Sequence, residues 1–368
     1  MRHAGPANDK VVAIQLLRAL AAATVAAGHI AFAFANDLGS GLGLLPEAAA
    51  LGAVSGQIAV MLFFVVSGYV MVIAAKDMFA MPSARRLFWR RRFIRIMPPY
   101  WLASGLLAVI FLTLFPTPLD PGKIMRSLVL IPYWPGDGTL RPLPFLWVGW
   151  TLFYEMMFYF WFGLFLGLPR MWAFVAVAGV LAALVIAGTW VPPVNPLLFA
   201  ATRPVSLIFA VGMAIALWRS GGAQAAAWLR WLALAASVAM LWLAPDPQDA
   251  SALGWDYLAW CGAPALLIAF AALGGPLLLP VSRWINRAGD ISYAVYLLHV
   301  PIAWFWLWFW GRLPFFDAGP WDYLISALLA TLGLSLLFFT VVERPITMAL
   351  NRWLTGPHSI KDPDRKTP

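Results

Sequence analysis

Apolar residues along this chain are grouped in long runs, and short segments between the runs hold nearly all of the proline, aspartate and arginine. The runs are about 17–25 residues long, the length that an α-helix needs to cross the hydrocarbon core of a bilayer. The strands of an outer-membrane barrel are about ten residues long and alternate in polarity, so this pattern excludes them. The pattern predicts about ten membrane-spanning helices, at roughly residues 11–35, 55–75, 99–115, 146–168, 171–191, 203–218, 228–244, 257–280, 289–311 and 322–343.

The composition agrees with an all-α polytopic membrane protein. The chain has 368 residues, of which 62% are hydrophobic and 11% are charged, and its mean hydropathy is +0.80. Soluble domains are about 45–50% apolar and about 25% charged, so the composition excludes several water-soluble domains. We expect one transmembrane domain over residues 1–354, no soluble domain, and a disordered tail over 355–368. A single cysteine, Cys261, excludes an intramolecular disulfide and a cysteine-based metal site.

The net charge of +9 is explained by where the basic residues fall. If the N-terminus is cytoplasmic, most of the 25 lysines and arginines lie in cytoplasmic segments, as the positive-inside rule requires. The sequence therefore predicts two cytoplasmic termini in an inner (plasma) membrane, and the charge needs no nucleic-acid partner. The first apolar run is too long for a signal peptide and carries Arg18 and His29, so we interpret it as a retained first helix.

Polar residues inside apolar helices are costly, and for that reason they are candidates for function. Arg18 and His29 are eleven residues apart. On a helix this spacing places them within about 20° of the same face and about 16 Å apart along the axis. One interpretation is structural: Arg18 extends to the interface and His29 bonds to a neighbouring helix. The other is that His29 acts as a general base, since an imidazole titrates near neutral pH.

A second candidate is the basic segment over residues 85–95. Such a cluster ordinarily sets topology and contacts anionic lipid headgroups. However, Arg92 and Arg95 are three residues apart on a short predicted helix, with Arg91 beside them, so two guanidinium groups face one way. This arrangement suits the binding of phosphate on a cytosolic cosubstrate.

A third candidate is Glu155, an acid placed well inside an apolar run. It is predicted either to form an ion pair with Arg18, to orient His29, or to hold a substrate hydroxyl. Trp150, Thr151 and Tyr154 lie towards one end of the same helix, and we assign them as candidate substrate contacts. A tryptophan there can stack on a sugar ring or simply anchor the helix at the interface.

The fourth candidate is a polar stripe of Ser292, Tyr296 and His299 at positions i, i+4 and i+7 of a late apolar run. We assign all three as candidate substrate contacts, and His299 ranks second to His29 as a functional histidine. A structural explanation also exists, because Pro301 lacks an N–H and frees a carbonyl one turn earlier for a local hydrogen bond.

Taken in this order, the motifs resemble the acyltransferase 3 family of membrane O-acyltransferases over almost the whole chain. Each motif is weak alone, but six of them in register are specific. The opening Ile14 and Gln15, with Gly149 to Thr151, look most like the branch that acetylates exopolysaccharides, although Gln15 stands near where many relatives have an acid. The matching residues are Leu17, Arg18, Ala19 and His29; Phe63 to Tyr69; Arg92, Arg95, Ile96, Pro98, Tyr100 and Trp101; Gly149 to Thr151, Glu155 and Tyr159; Gly289, Asp290, Ser292, Tyr293, Tyr296, Leu297 and His299; and Glu343 to Pro345 closing the last helix.

The resemblance implies transfer of an acyl group, acetyl in the first instance, from cytoplasmic acetyl-coenzyme A to a carbohydrate hydroxyl. It implies that Arg91, Arg92 and Arg95 hold the donor and that Arg18 guides it. His29 would be the general base or a transient acyl carrier, supported by Glu155, and no metal is required. A succinyl donor, and a macrolide, glucan or lipid-linked sugar as acceptor, remain open at this point, as does the oligomeric state.

Two functions from other classes compete with this hypothesis. A proton-coupled transporter would also carry intramembrane Arg, His and Glu, but it should show two related halves with broken helices, and the sequence shows no such symmetry. A partner in polysaccharide export without catalysis would tolerate the loss of His29.

Overall fold

The computed structural model describes residues 6–37, 46–115, 118–136, 142–192, 194–243, 253–276, 283–313 and 320–355. Within these ranges every regular element is helical and no strand is present. The predicted tail over 355–368 lies almost wholly outside the described residues. The α-helices are α1 (Pro6–Asp37), α2 (Pro46–Ala74), α3 (Ala84–Thr113), α4 (Pro121–Leu128), α5 (Trp150–Phe165), α6 (Arg170–Ala187), α7 (Pro196–Ala201), α8 (Leu207–Ser220), α9 (Ala227–Leu243), α10 (Trp255–Tyr257), α11 (Ala263–Leu273), α12 (Arg283–Trp310), α13 (Pro320–Phe338) and α14 (Arg344–Thr355).

Each of the ten predicted spans overlaps a helix, but in the described part of the chain only seven helical stretches are long and apolar enough to cross a bilayer. The remaining three correspond to α5, α8 and α9, which have 16, 14 and 17 residues. The chain is therefore an all-helical, multi-pass membrane protein. The number of ten spans and the cytoplasmic position of both termini stay predictions.

Two helix boundaries differ from the sequence prediction. The basic segment does not form a separate short helix: it is the first half of the 30-residue helix α3, which continues through Pro98 and Pro99. The last helix does not close at Glu343 to Pro345 either, because a π-helical turn over Phe339–Glu343 joins α13 directly to α14. A π-turn adds one residue to a helix, and the helix continues after it. Proline is tolerated directly after such a turn, because few hydrogen bonds within the helix are lost there.

The centre of the bundle is built from α1, α2 and α12. Helix α1 packs against both α2 and α12, and α2 packs in turn against α8. An aromatic stack fills the space between α2, α5 and α8, with ring centroids 4.5 Å apart for Phe64 and Phe209 and 4.6 Å apart for Phe158 and Phe209. Outer helices expose apolar side chains, such as Trp231 at 70% and Leu329 at 64%, as expected for surfaces in contact with lipid.

Helices α2 and α8 approach each other so closely that both carry glycine at the contact. A Cβ atom on Gly68 would lie 2.1 Å from the carbonyl oxygen of Phe209, and one on Gly212 would lie 2.1 Å from that of Val65. Small residues allow backbones in a membrane bundle to pack at this distance. The contact sets the position of Ser67, which precedes Gly68 and faces the site described below.

We expect Gly212→Ala to destabilise the protein strongly, because the added methyl group meets a backbone oxygen that cannot move without shifting α2. Overpacking of this kind costs about 3 kcal/mol. The measurement is the fraction of protein that stays monodisperse in detergent after heating. The matched control is Gly179→Ala in α6, where no atom lies within 4 Å of the added Cβ. Equal heat resistance of the two variants would contradict the close packing.

Candidate active site

A cavity of about 360 Å³ lies among α1, α2, α3, α5 and α12. Its walls are mostly apolar, with Phe63, Phe64, Val66 and Val70 of α2 on one side. The polar groups that reach it come from all five helices, so tertiary packing gathers residues that are far apart in the chain. These polar lining residues are Gln15, Arg18, Ser67, Arg92, Arg95, Thr151, Glu155, Tyr159, Ser292, Tyr293 and Tyr296.

Three guanidinium groups reach this cavity, those of Arg18, Arg92 and Arg95. Arg92 is half-buried, and its guanidinium lies 5.6 Å from the ring centroid of Phe88 and 5.7 Å from that of Tyr159. Such contacts hold a planar cation in place while its N–H groups stay directed at a ligand. Arg91 is exposed and lies outside the lining set. The cavity is therefore suited to an anionic ligand.

Glu155 is hydrogen-bonded by hydroxyl groups. The Oγ of Ser67 donates to its carboxylate at 2.8 Å, and the hydroxyl of Tyr159, one turn further along α5, donates to the same oxygen. The hydrogen bond of Arg18 goes elsewhere, to the side-chain oxygen of Gln15 at 3.3 Å. Arg18 and Glu155 both line the cavity, but each is hydrogen-bonded to other groups, so the expected ion pair is not a direct contact.

Gln15 connects Arg18 to a second carboxylate. Its amide nitrogen donates to Asp290 at 2.8 Å while its oxygen accepts from Arg18. The glutamine is held closely against α12, because a Cβ on Gly289 would lie 2.3 Å from the Gln15 side-chain oxygen. Helix α1 has Gln15 near the place where many relatives have an acid. In this chain Asp290 of α12 supplies a carboxylate there.

Thr151 and Tyr296 mark the end of the cavity away from Arg92. Their hydroxyl groups are 2.7 Å apart, and each also lies 3.0 Å from the backbone carbonyl of Val148. Tyr159 is eight residues after Thr151, which is about 12 Å along the axis of α5. The cavity therefore has a cationic end at Arg92 and a hydroxyl-lined end at Thr151.

His29 and His299 form a pair just beyond this hydroxyl-lined end. The Nδ1 of His29 is 2.8 Å from the Nε2 of His299, and the two rings meet edge to edge with centroids 5.1 Å apart and planes inclined by 20°. His299 is fully buried, and its ring centroid is 5.9 Å from that of Tyr296. Neither histidine is among the residues that line the cavity, but Tyr296, which does line it, has its ring next to that of His299.

The other predicted substrate contacts have mainly structural surroundings. Trp150 and Tyr154 are buried, and both rings pack against Phe64. The cleft beside them measures only about 10 Å³, room for about one water molecule and too little for a sugar ring. Ser292 lines the cavity, but its hydroxyl donates to the carbonyl of Gly289 at 2.7 Å.

Several residues of the site were not among the sequence candidates. Tyr159 could have been found, because it stands four residues after Glu155 on the same helix face. Ser67 is a hydroxyl in an otherwise apolar stretch, but no local signal connects it to Glu155. Tyr293, whose hydroxyl donates to the carbonyl of Ile96 at 2.9 Å and joins α12 to α3, belongs to a motif of the family resemblance but was assigned no role in the site. Among the described residues, no group of three or more His, Cys, Asp or Glu is placed to hold a metal ion.

The fold and the cavity define a multi-pass helical membrane protein whose cavity is lined by Arg18, Arg92 and Arg95. Comparison with known proteins makes the class specific. The family model described as an acyltransferase domain matches residues 11–340. The chain therefore belongs to the acyltransferase 3 family. This membership favours an enzyme over the transporter and over the non-catalytic export partner.

Two curated relatives are similar to this chain. The exopolysaccharide production protein ExoZ of Rhizobium meliloti (strain 1021) is 38% identical over 170 residues, which cover 45% of this chain and 52% of that protein. The acyltransferase MdmB of Streptomyces mycarofaciens is 28% identical over 282 residues, 66% of this chain and 67% of that protein. The match thus spans about half of the first relative and two thirds of the second. No solved structure matches significantly.

Proposed function

We propose that this protein transfers an acetyl group from acetyl-coenzyme A to a hydroxyl of a cell-envelope or exported carbohydrate, and that it does so in the inner (plasma) membrane with both termini cytoplasmic. The single observation that carries the proposal is the polarity of the cavity. Three arginines reach it, and a histidine pair lies beyond its opposite, hydroxyl-lined end. The name of the relative ExoZ supports a carbohydrate acceptor.

The donor is expected to enter with its phosphates at the cationic end. Arg92 and Arg95 bind the phosphates through charge-assisted hydrogen bonds, with Arg91 at the exposed approach and Arg18 deeper inside. The slender pantetheine arm then follows the apolar wall of α2. Glu155, held by Ser67 and Tyr159, offsets the charge of the arginines when the donor is absent. Its role is therefore to stabilise the cavity and not to contact His29.

The chemical step takes place at His29, once the thioester reaches past Tyr296 and Thr151. The imidazole removes the proton from the carbohydrate hydroxyl, and the oxygen attacks the thioester carbonyl carbon. The carbon–sulfur bond breaks, the acetyl group stays on the carbohydrate oxygen, and the thiolate of coenzyme A takes the proton from His29. No metal is part of this step.

The test is transfer of radiolabelled acetyl from acetyl-coenzyme A to exported polysaccharide in membrane vesicles, with and without this protein. We expect label in the polysaccharide only when the protein is present. Succinyl-coenzyme A in a parallel arm measures donor choice, and a lipid-linked sugar or a macrolide in place of polysaccharide measures acceptor choice. If folded protein labels none of these acceptors, the proposed function is wrong.

A further inference from the structure

His29 is half-buried and His299 is fully buried; the two are 270 residues apart in the chain and contact each other through one nitrogen each. His299 makes a second contact that limits its protonation. Its Nδ1 is 3.1 Å from the backbone carbonyl oxygen of Val295, one turn earlier on α12. A carbonyl oxygen can only accept a hydrogen bond, so the Nδ1 of His299 carries a proton.

The state of the second nitrogen follows from burial. If the Nε2 of His299 also carried a proton, the ring would be an imidazolium, and His299 is 0% exposed. A buried charge without a paired counter-charge is strongly disfavoured. A neutral His299 has its lone pair on Nε2, the atom that faces His29. The short contact between the rings is then a hydrogen bond from the Nδ1–H of His29 to the Nε2 of His299.

We propose that His299 is a positioning residue that holds His29 in one tautomer, with the proton on Nδ1 and the lone pair on Nε2. In a neutral histidine the bond made by one ring nitrogen decides which nitrogen is basic. The chain of contacts from the Val295 carbonyl through His299 to His29 therefore selects Nε2 of His29 as the atom that accepts a proton. On this proposal His299 acts through His29 and does not contact substrate, unlike its assignment from sequence.

The proposal deepens the proposed function, because it names the basic atom of the group placed at the chemical step. It applies equally if His29 attacks the thioester itself, since Nε2 would then need the same lone pair. The contact with His299 and the neighbouring Trp147, whose ring is 6.2 Å from that of His29 and nearly perpendicular to it, limit rotation of the imidazole that would exchange its two nitrogens.

The first measurement does not depend on activity. The chain has four histidines, so a His3→Gln, His358→Gln background leaves only the pair visible in nitrogen NMR of protein with isotope-labelled histidine. We expect both rings to be protonated at Nδ1 and unprotonated at Nε2. A His29 that carries its proton on Nε2, or that exchanges between tautomers in this protein, overturns the proposal without any variant of His299.

The second measurement uses two substitutions of His299. Leucine removes the acceptor, and we expect kcat to fall about 10- to 100-fold while KM for acetyl-coenzyme A stays within about twofold, because general-base catalysis is lost and donor binding is not. Glutamine offers a carbonyl oxygen near the position of Nε2, so it should restore most of kcat and the single tautomer of His29. Equal losses in H299L and H299Q, with an unchanged tautomer in both, would show a packing role only.

The outcomes separate the two proposals. If NMR finds the expected tautomer but His29 proves dispensable for transfer, the positioning role of His299 stands and the proposed chemistry at His29 fails. If His29 is essential but its tautomer is not fixed by His299, the proposed function stands and this inference fails.

Discussion

Replacing His29 with glutamine is expected to abolish measurable acetyl transfer while leaving the protein folded. Glutamine is similar in size to histidine, so the packing of α1 against α12 is kept. It cannot accept a proton from a hydroxyl at neutral pH. General-base catalysis is worth 10²–10⁴-fold, so we expect kcat to fall by about 1,000-fold.

The assay is the initial rate of label transfer at saturating acetyl-coenzyme A, with matched amounts of monodisperse protein. Binding of the donor, followed by the quenching of tryptophan fluorescence, should be unchanged in H29Q. His3→Gln serves as the control, because it removes a histidine that is not among the candidate site residues. An H29Q variant as active as H3Q would remove His29 from the mechanism.

Replacing Arg92 with alanine is expected to weaken donor binding about 10- to 100-fold. A hydrogen bond to a charged group is worth about 1.5–3 kcal/mol, which corresponds to that range. The guanidinium is already held between the rings of Phe88 and Tyr159 at the cavity, so little ordering is needed before phosphate binds. The loss should appear as a higher KM for acetyl-coenzyme A, with a smaller change in kcat.

Two further variants show whether this effect is specific. Arg92→Lys keeps the charge but loses the planar fork, so its KM should lie between those of wild type and R92A. Arg86→Ala removes one charge from an exposed position on the same helix and should leave KM unchanged. If R86A and R92A have the same KM, the basic segment serves topology and lipid contact, as its composition alone suggests.

Periodicity along single helices predicted correctly which residues share a face. Arg92 and Arg95, three residues apart, both reach the cavity, and so do Ser292 and Tyr296. These predictions hold because the rise and turn of a helix are local properties. Periodicity was less informative about where helices end. The sequence predicted a separate short helix for the basic segment and a last helix that closes at Glu343 to Pro345, whereas both helices continue there in the bundle.

Partners across the bundle were less predictable. Glu155 was expected to pair with Arg18 or to orient His29, and instead it is hydrogen-bonded by Ser67 and Tyr159. Arg18 is bonded to Gln15, a residue to which the sequence assigned no role in the site. A buried polar group takes the nearest suitable partner, and which group is nearest depends on how helices are rotated against one another.

The sequence by itself determined that this protein is a helical membrane protein, which segments form its helices, and which residues interrupt them with charge. These properties follow from the cost of leaving backbone or charge unsatisfied in hydrocarbon, and each stretch of chain meets that cost separately. Only the tertiary structure decided that His29 faces His299 and that five helices enclose one cavity. Those contacts depend on how helices pack side by side, as in the close approach of Gly68 to α8, and no local pattern encodes the rotation of one helix against another.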